Sequence, residues 1–376
     1  MIRKAVILAA GRGTRLQPLT VDMPKPMIPL LGKPVMAYIV EHLARQGVRE
    51  IMVNVSHMAD QIERYFGNGE RFGVQIGYSY EGRIENGHLV PEPLGSAGAL
   101  RKIQDHGGFI DETTAVLCGD ALVDVDLQAA YQTHRHRRAL ATVVTKEVPL
   151  ADVPNYGVVV SRPDGQVVSF QEKPSVAEAL SRHASTGIYL IDPKVLAHIP
   201  SGRTMDIGSE LFPTLVRHGL PFQQHTQDFR WLDIGRVSDY WRIVQALMRG
   251  GMPGVSIPGE QVRPGVFIGL NAQVHWESLR VQGPVYIGSG AVVAPGVTLV
   301  GPTWIGRGAR VEAGATVERS ILFDYAHIGA NAMARERIIS GAYCVSRDGQ
   351  DDGNPLPCWL GDARCGTATP QPTYAQ

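Results

Sequence analysis

Residues 5–20 read Ala5-Val6-Ile7-Leu8-Ala9-Ala10-Gly11-Arg12-Gly13-Thr14-Arg15-Leu16-Gln17-Pro18-Leu19-Thr20. The apolar run Ala5–Ala10 predicts a buried strand. A secretory signal would need an apolar region of about 7–15 residues and a small-residue cleavage site. Here glycine and arginine interrupt the run at once. A glycine-rich turn after a strand leaves backbone N–H groups free to approach a phosphate without side-chain clash. Two common phosphate motifs do not fit. The dinucleotide fingerprint needs a third glycine where Leu16 stands, and no Gly-x-x-x-x-Gly-Lys-Ser/Thr occurs.

Further along, Pro24-Lys25-Pro26-Met27 places a lysine between two prolines, which restrict its backbone approach. Arg15 and Lys25 add cationic partners for phosphate oxygens that become negative as a bond breaks. Short apolar runs then alternate with amphipathic stretches. Strands are expected at 50–55, 74–80, 115–118 and 139–145, and helices at 35–45, 58–66, 96–104 and 127–136. Helices also fit 206–218 and 237–249. The alternation predicts an α/β fold, a Rossmann-like, mostly parallel sheet with helices on both faces. Ligands of such sheets bind beyond the carboxyl ends of the strands. Residues 156–191 depart from the alternation, with strands at 157–161, 167–171 and 187–191. They predict an added sheet closing one side of the pocket.

The second half carries a different period. Ile287, Val293, Leu299, Ile305, Val311 and Val317 recur every six residues, and Val262, Ile268 and Val274 keep the same step upstream. A six-residue step fits a parallel β-helix with aliphatic residues stacked inside each coil. The reading is a first domain over 1–250, a linker over 251–261, a β-helix over 262–343 and a partly mobile tail over 344–376.

The charges balance, with 36 Lys plus Arg against 36 Asp plus Glu. That removes long-range attraction to nucleic acid or an anionic membrane. The basic run His134–Arg138 reads as a solvated helix end. No stretch approaches the ~20 apolar residues that span a bilayer. The four cysteines are scattered without a Cys-x-x-Cys pair, as free thiols in a reducing cytoplasm would be.

Two aspartates follow apolar strands, in Val116-Leu117-Cys118-Gly119-Asp120 and in Trp231-Leu232-Asp233-Ile234-Gly235. Magnesium takes one or two carboxylates plus phosphate oxygens and water. Asp120 and Asp233 suit that need. Asp124 and Asp126 are rivals, Asp126 as a helix cap.

The Gly11–Thr20 loop with Pro24-Lys25-Pro26 resembles the signature of the sugar-1-phosphate nucleotidyltransferases. The resemblance covers nearly the whole chain, because many members carry a carboxy-terminal left-handed β-helix. It implies that Arg15 and Lys25 grip the triphosphate and the forming pyrophosphate, with Gly13 and Thr14 in the same loop. It implies Mg²⁺ on Asp120 and Asp233. In Phe170-Gln171-Glu172-Lys173-Pro174 it implies that Glu172 bonds sugar hydroxyls and Lys173 the sugar phosphate. Asn155-Tyr156-Gly157 and Ser185-Thr186-Gly187 resemble the other sugar-facing segments, with Gly157 and Thr186 as contacts. Glu92-Pro93-Leu94-Gly95-Ser96 resembles the segment beside the base. Gly95 would admit the base, while Leu8, Ala10 and Gly11 line its other side.

The base stays open between two readings. Ala9-Ala10-Gly11 resembles the uridylyltransferases, and the chain overall resembles a mannose-1-phosphate guanylyltransferase group. UTP with glucose 1-phosphate is the first expectation and GTP with mannose 1-phosphate the second. Other readings are a hexapeptide-repeat acyltransferase using His275 or His327, and a non-catalytic partner that binds nucleotide sugars. The flat faces of a β-helix also suggest a homo-oligomer.

Overall fold

The computed structural model describes residues 1–85, 88–350 and 360–365. Contact clustering divides the chain into two units. The first holds Met1–Gly13, Asp22–Ile28 and Pro34–Asp233. Its centre is the strand Lys4–Leu8, whose Ala5, Val6 and Ile7 are fully buried. A strand covered on both faces is continuously apolar. Parallel neighbours flank it, Glu50–Val55 on one side and Thr114–Cys118 on the other, with Gln75–Tyr80 beyond Glu50–Val55. Helices Val35–Arg45, Ala59–Phe66, Gly95–Gly107 and Leu127–His136 connect these strands. Asp126 caps the last, accepting from the N–H groups of Gln128 at 2.9 Å and Ala129 at 3.0 Å. Asp124 instead accepts from the Arg230 N–H.

The region 156–191 does not form a separate sheet. His183–Ile191 pairs antiparallel with Thr114–Cys118, and Gly157–Ser161 and Val167–Glu172 continue outward, so all three extend the main sheet, which Ala141–Glu147 and Phe222–Thr226 complete to nine strands. The short turn between Gly157–Ser161 and Val167–Glu172 makes that pair antiparallel, because a short turn cannot return a chain in parallel. A second departure is the helix expected at 206–218. It divides into a π-helical turn, Ile207–Leu211, and an α-helix, Phe212–Arg217. Pro213 near the junction lacks the N–H that would continue a regular ladder.

The second unit holds Thr14–Val21, Pro29–Lys33 and the chain from Ile234. Its β-helix stacks short strands into three sheets. Parallel registers such as Val285↔Thr303 and Arg280↔Thr298 advance by one coil. Ile287, Val293, Leu299, Ile305, Val311 and Val317 form the inner stack, at most 2% exposed. The stack continues past them through Leu322, Ile328, Ala334 and Ile339. Between Gly288 and Gly306 there is no room for a side chain, since a Cβ on Gly288 would lie 2.6 Å from the Gly306 carbonyl carbon. Val262 lies outside the coils, in the antiparallel strand Glu260–Arg263, and is 37% exposed.

The helix Val237–Met248 clusters with this unit, so the division falls at 233/234, where the sequence reading put a linker near 250. Side-chain bonds tie this helix to the coils. Trp241 donates to the Arg319 carbonyl at 3.1 Å and Gln245 to the Pro302 carbonyl at 3.0 Å. Part of the expected tail is also structured. Cys344–Ser346 pairs with Arg337–Ile339 and Leu360–Asp362 with Ala326–Ile328, covering two sheet edges. Residues 351–359 and 366–376 lie outside the described residues. Among the described residues no helix is long and apolar enough to cross a membrane. Cys118, Cys344 and Cys365 are free thiols.

Ile305 has no exposed surface. Ile305→Ala is expected to cost about 2–5 kcal/mol, read as a lower urea midpoint for the β-helix transition. A midpoint unchanged from the native chain would contradict the stacked-core description.

Candidate functional site

The site is built on the carboxyl end of the first strand. Leu8 lies opposite Cys118, and Gly119 N–H donates to the Leu8 carbonyl at 2.9 Å. A side chain on Gly119 would meet that same carbonyl at 3.2 Å. The chain therefore leaves the sheet with Asp120 directed along the strand ends. Ala121–Val123 then pairs antiparallel with Trp231–Asp233, setting Asp233 opposite Ala121. This two-stranded ribbon joins residues more than a hundred positions apart. Asp120, Asp233 and Leu8 line one cavity of about 250 Å³ with Gly157, Glu172, Lys173 and Thr186.

Lys25 makes a short ion pair with Asp120, and both side chains are largely shielded from solvent. The 3₁₀ turn Lys25–Met27 holds the lysine, closed by the Met27 N–H to the Pro24 carbonyl at 2.8 Å. Pro24 and Pro26 thus restrict the lysine as their sequence implied.

Glu172 sits opposite Gly157 across antiparallel strands. Its carboxylate occupies a slot between two glycines. A Cβ on Gly157 would come within 3.2 Å of Oε2, and one on Gly208 within 2.8 Å. Lys173 has a left-handed backbone, φ 48°, and its N–H donates to the Tyr156 carbonyl at 3.2 Å. A non-glycine residue held in that conformation is often found at a functional site. Its ammonium lies 3.3 Å from Glu172. Tyr156 and Trp231 form a wall nearby, ring centroids 4.7 Å apart.

Other expected residues are placed differently. Thr186 lines the cavity, but its hydroxyl donates to the Val144 carbonyl at 2.9 Å. Gly95 has φ 71°, and a Cβ there would lie 2.5 Å from the Met205 carbonyl oxygen. Its bareness is thus required by the packing of 203–206, a reason distinct from admitting a base. Gly11 and Glu92 are exposed, and a Cβ on Gly11 would meet nothing within 4 Å. Ala10 is half-buried and Gly13 has φ 63°. Thr14 and Arg15 are exposed and belong to the second unit, in a segment that also carries the buried Leu16 and Leu19.

The sequence did not single out Asp206 or Gly208 as site residues, and it marked Ser96 only as part of the segment beside the base. Asp206, Ser96 and Gly208 line the cavity, their arrangement set by a long-range contact. Burial pushes the Asp206 carboxyl up, but donors from Ser209, Ser96 and Gly208 outweigh it and leave it below the usual range. Burial, with Asp120 and Asp233 nearby, pushes the Cys118 thiol far up. Glu81 accepts from the Leu94 N–H at 3.2 Å, and burial raises its carboxyl above 4.5.

Among the described residues no group of three or more His, Cys, Asp and Glu is placed to hold a metal. A closed cage of protein ligands is thus not what this site offers. Two carboxylates beside a cavity fit magnesium, which keeps water and phosphate oxygens in its shell.

Residues 4–250 match the nucleotidyl transferase family. A UTP–glucose-1-phosphate uridylyltransferase of Synechocystis is 49% identical, covering 92% of this chain and 89% of its own. A mannose-1-phosphate guanylyltransferase of Mycobacterium tuberculosis is 32% identical, covering 78% of this chain and 77% of its own. A Bacillus anthracis crystal structure, provisionally named a glucose-1-phosphate thymidylyltransferase and solved with a sucrose, superposes with TM-score 0.55 at 27% identity. It covers 65% of this chain and 94% of that one. The chain belongs to the nucleotidyl transferase family.

Ionised Glu81 costs stability because its folded pKa is raised. The cost is absent below the unfolded value and grows as pH rises through the folded one. Glu81→Gln keeps an oxygen for Leu94. It should be more stable than the native chain at about pH 7.5, with the gap closing toward about pH 4.5. Urea unfolding at both pH values checks this; a gap independent of pH would remove the burial argument.

Proposed function

We propose that the chain transfers a nucleotidyl group from a nucleoside triphosphate to a sugar 1-phosphate, releasing pyrophosphate, with UTP and glucose 1-phosphate as its preferred pair. The observation that carries this reading is the convergence of Asp120, Asp233, Glu172 and Lys173 at one cavity, with Lys25 paired to Asp120. The 49% identity to a uridylyltransferase over nearly the whole chain supports the choice of UTP, as does Ala10 in the first loop. GTP with mannose 1-phosphate is the second reading, supported by relatives at 32–35% identity.

A phosphate oxygen of the sugar attacks the α-phosphorus. The bond from that phosphorus to the β-phosphate bridge breaks, and pyrophosphate leaves with the electron pair. The nucleophile is already anionic near neutral pH, so no base is needed. The residues act by position and charge. Lys173 holds the attacking phosphate, and Glu172 orients the ring through its hydroxyls. Lys25 and Arg15 stabilise charge on the leaving pyrophosphate. Asp120 and Asp233 would hold Mg²⁺, which screens the repulsion between the two anionic substrates when bound. Gly13, Thr14, Glu92 and Gly95 belong to the nucleotide side, and Gly157 and Thr186 to the sugar side.

The acyltransferase reading has less support. His275 bonds Ser278, and His327 bonds Glu312 opposite the strand Leu360–Asp362. We place the reaction in the cytoplasm and assign the flat β-helix faces to self-association. A monomer mass by light scattering at working concentration would sink the latter.

Pyrophosphate release over four nucleoside triphosphates and several sugar 1-phosphates tests the reaction. Turnover is expected with UTP and glucose 1-phosphate, and its loss on chelation. A GTP and mannose 1-phosphate preference would favour the second reading, and silence in every well refutes the enzyme. Asp120→Asn should lower turnover by about 10²-fold or more with the fold intact by circular dichroism. Lys25→Met removes the ammonium that neutralises Asp120 and should tighten Mn²⁺ binding measured by electron paramagnetic resonance. Unchanged Mn²⁺ affinity would separate Lys25 from the metal site.

A further inference from the structure

Ser96 stands at the start of the helix Gly95–Gly107, in the segment assigned to the nucleotide. Its hydroxyl donates to Asp206 Oδ2 at 2.7 Å and accepts from the Ile207 N–H at 2.7 Å. The other carboxylate oxygen of Asp206 accepts from the N–H groups of Gly208 and Ser209, both at 2.9 Å, and from the Ser209 hydroxyl at 3.1 Å. One hydroxyl and one carboxylate therefore hold the whole turn that opens Ile207–Leu211.

That turn is a wall of the sugar side. A Cβ on Gly208 would lie 2.8 Å from Glu172 Oε2, so Gly208 limits where the Glu172 carboxylate can go. The backbone repeats the linkage. Ala97 and Gly98 N–H groups donate to the Met205 carbonyl at 2.9 and 3.0 Å, and Met205 N–H donates to the Leu94 carbonyl at 2.9 Å. Gly95 and Gly98 leave no space for side chains against Met205 and Arg203. The nucleotide-side helix start and the sugar-side turn are thus locked together.

We propose that Ser96 and Asp206 are positioning residues that transmit the setting of the nucleotide segment to Glu172, so that Ser96 governs affinity for the sugar 1-phosphate. The inference rests on the reaction proposed above. Neither residue takes part in bond making. Their role is to keep Gly208 against Glu172, which a packing role alone would not require. A displacement of about 1 Å in such a contact is enough to change rates strongly.

The test is steady-state kinetics on the full chain with Ser96→Ala, Ser96→Thr, Glu172→Gln and the double variant Ser96→Ala/Glu172→Gln. Ser96→Ala should raise KM for the sugar 1-phosphate about tenfold, the scale of a lost hydrogen bond to a charged group. Ser96→Thr, which restores the hydroxyl, should recover it. In the Glu172→Gln background the Ser96→Ala change should have no further effect on that KM, because the coupling runs through Glu172. An unchanged sugar KM, a rise confined to the nucleotide KM, failure of the threonine rescue, or additive effects in the double variant would each overturn the proposal. If the native chain turns over no substrate pair, the reaction itself fails. Calorimetric binding of glucose 1-phosphate to the same variants then decides the bridge alone, on the same pattern of loss and rescue.

Discussion

The parallel pairing of Lys4–Leu8 with Thr114–Cys118 is the constraint on which the site depends. It aligns Leu8 with Cys118 and passes the Gly119 N–H to the Leu8 carbonyl. A slip of one residue would turn every side chain of the strand to the opposite face. With this register Asp120 emerges at the strand ends, and the ribbon Ala121–Val123 to Trp231–Asp233 returns a second carboxylate beside it. The antiparallel strands then bring Glu172, Lys173 and Gly187 to the same edge, Gly187 with only enough room for a glycine against Cys118.

Charge in the cavity is arranged in opposed pairs. Lys25 neutralises Asp120, and Lys173 stands against Glu172. The two lysines stand on different segments of the chain. The glycines around Glu172 admit a carboxylate where any side chain would exclude it.

The second unit is stable for a different reason. Its stacked aliphatic residues and the glycines at close coil approach make each coil dependent on its neighbours. The helix Val237–Met248 and the segments Thr14–Val21 and Pro29–Lys33 belong to that unit too, tied by bonds such as Tyr240 to the Pro29 carbonyl at 2.9 Å. A family match ending at residue 250 and a packing boundary at 233/234 therefore describe different things. One follows inheritance of sequence and the other follows contacts.

Local chemistry made much of this legible. The strands Glu50–Val55 and Gly157–Ser161 and the helices Val35–Arg45 and Leu127–His136 lie where periodicity put them, since each buries one pattern of apolar residues. The hexad lay open in the same way, because every coil repeats the same inward position. Asp120 and Lys25 could be named because a strand end and flanking prolines mark them locally, and Glu172 because its segment resembles one of the family's. The sequence by itself determined those elements and candidates. Only the tertiary structure decided that Asp233 faces Ala121, that Ser96 holds Asp206, and that Gly95 makes room for Met205. Those pairings join residues that are far apart in the chain, and nothing in a local pattern records which distant partner a residue will meet.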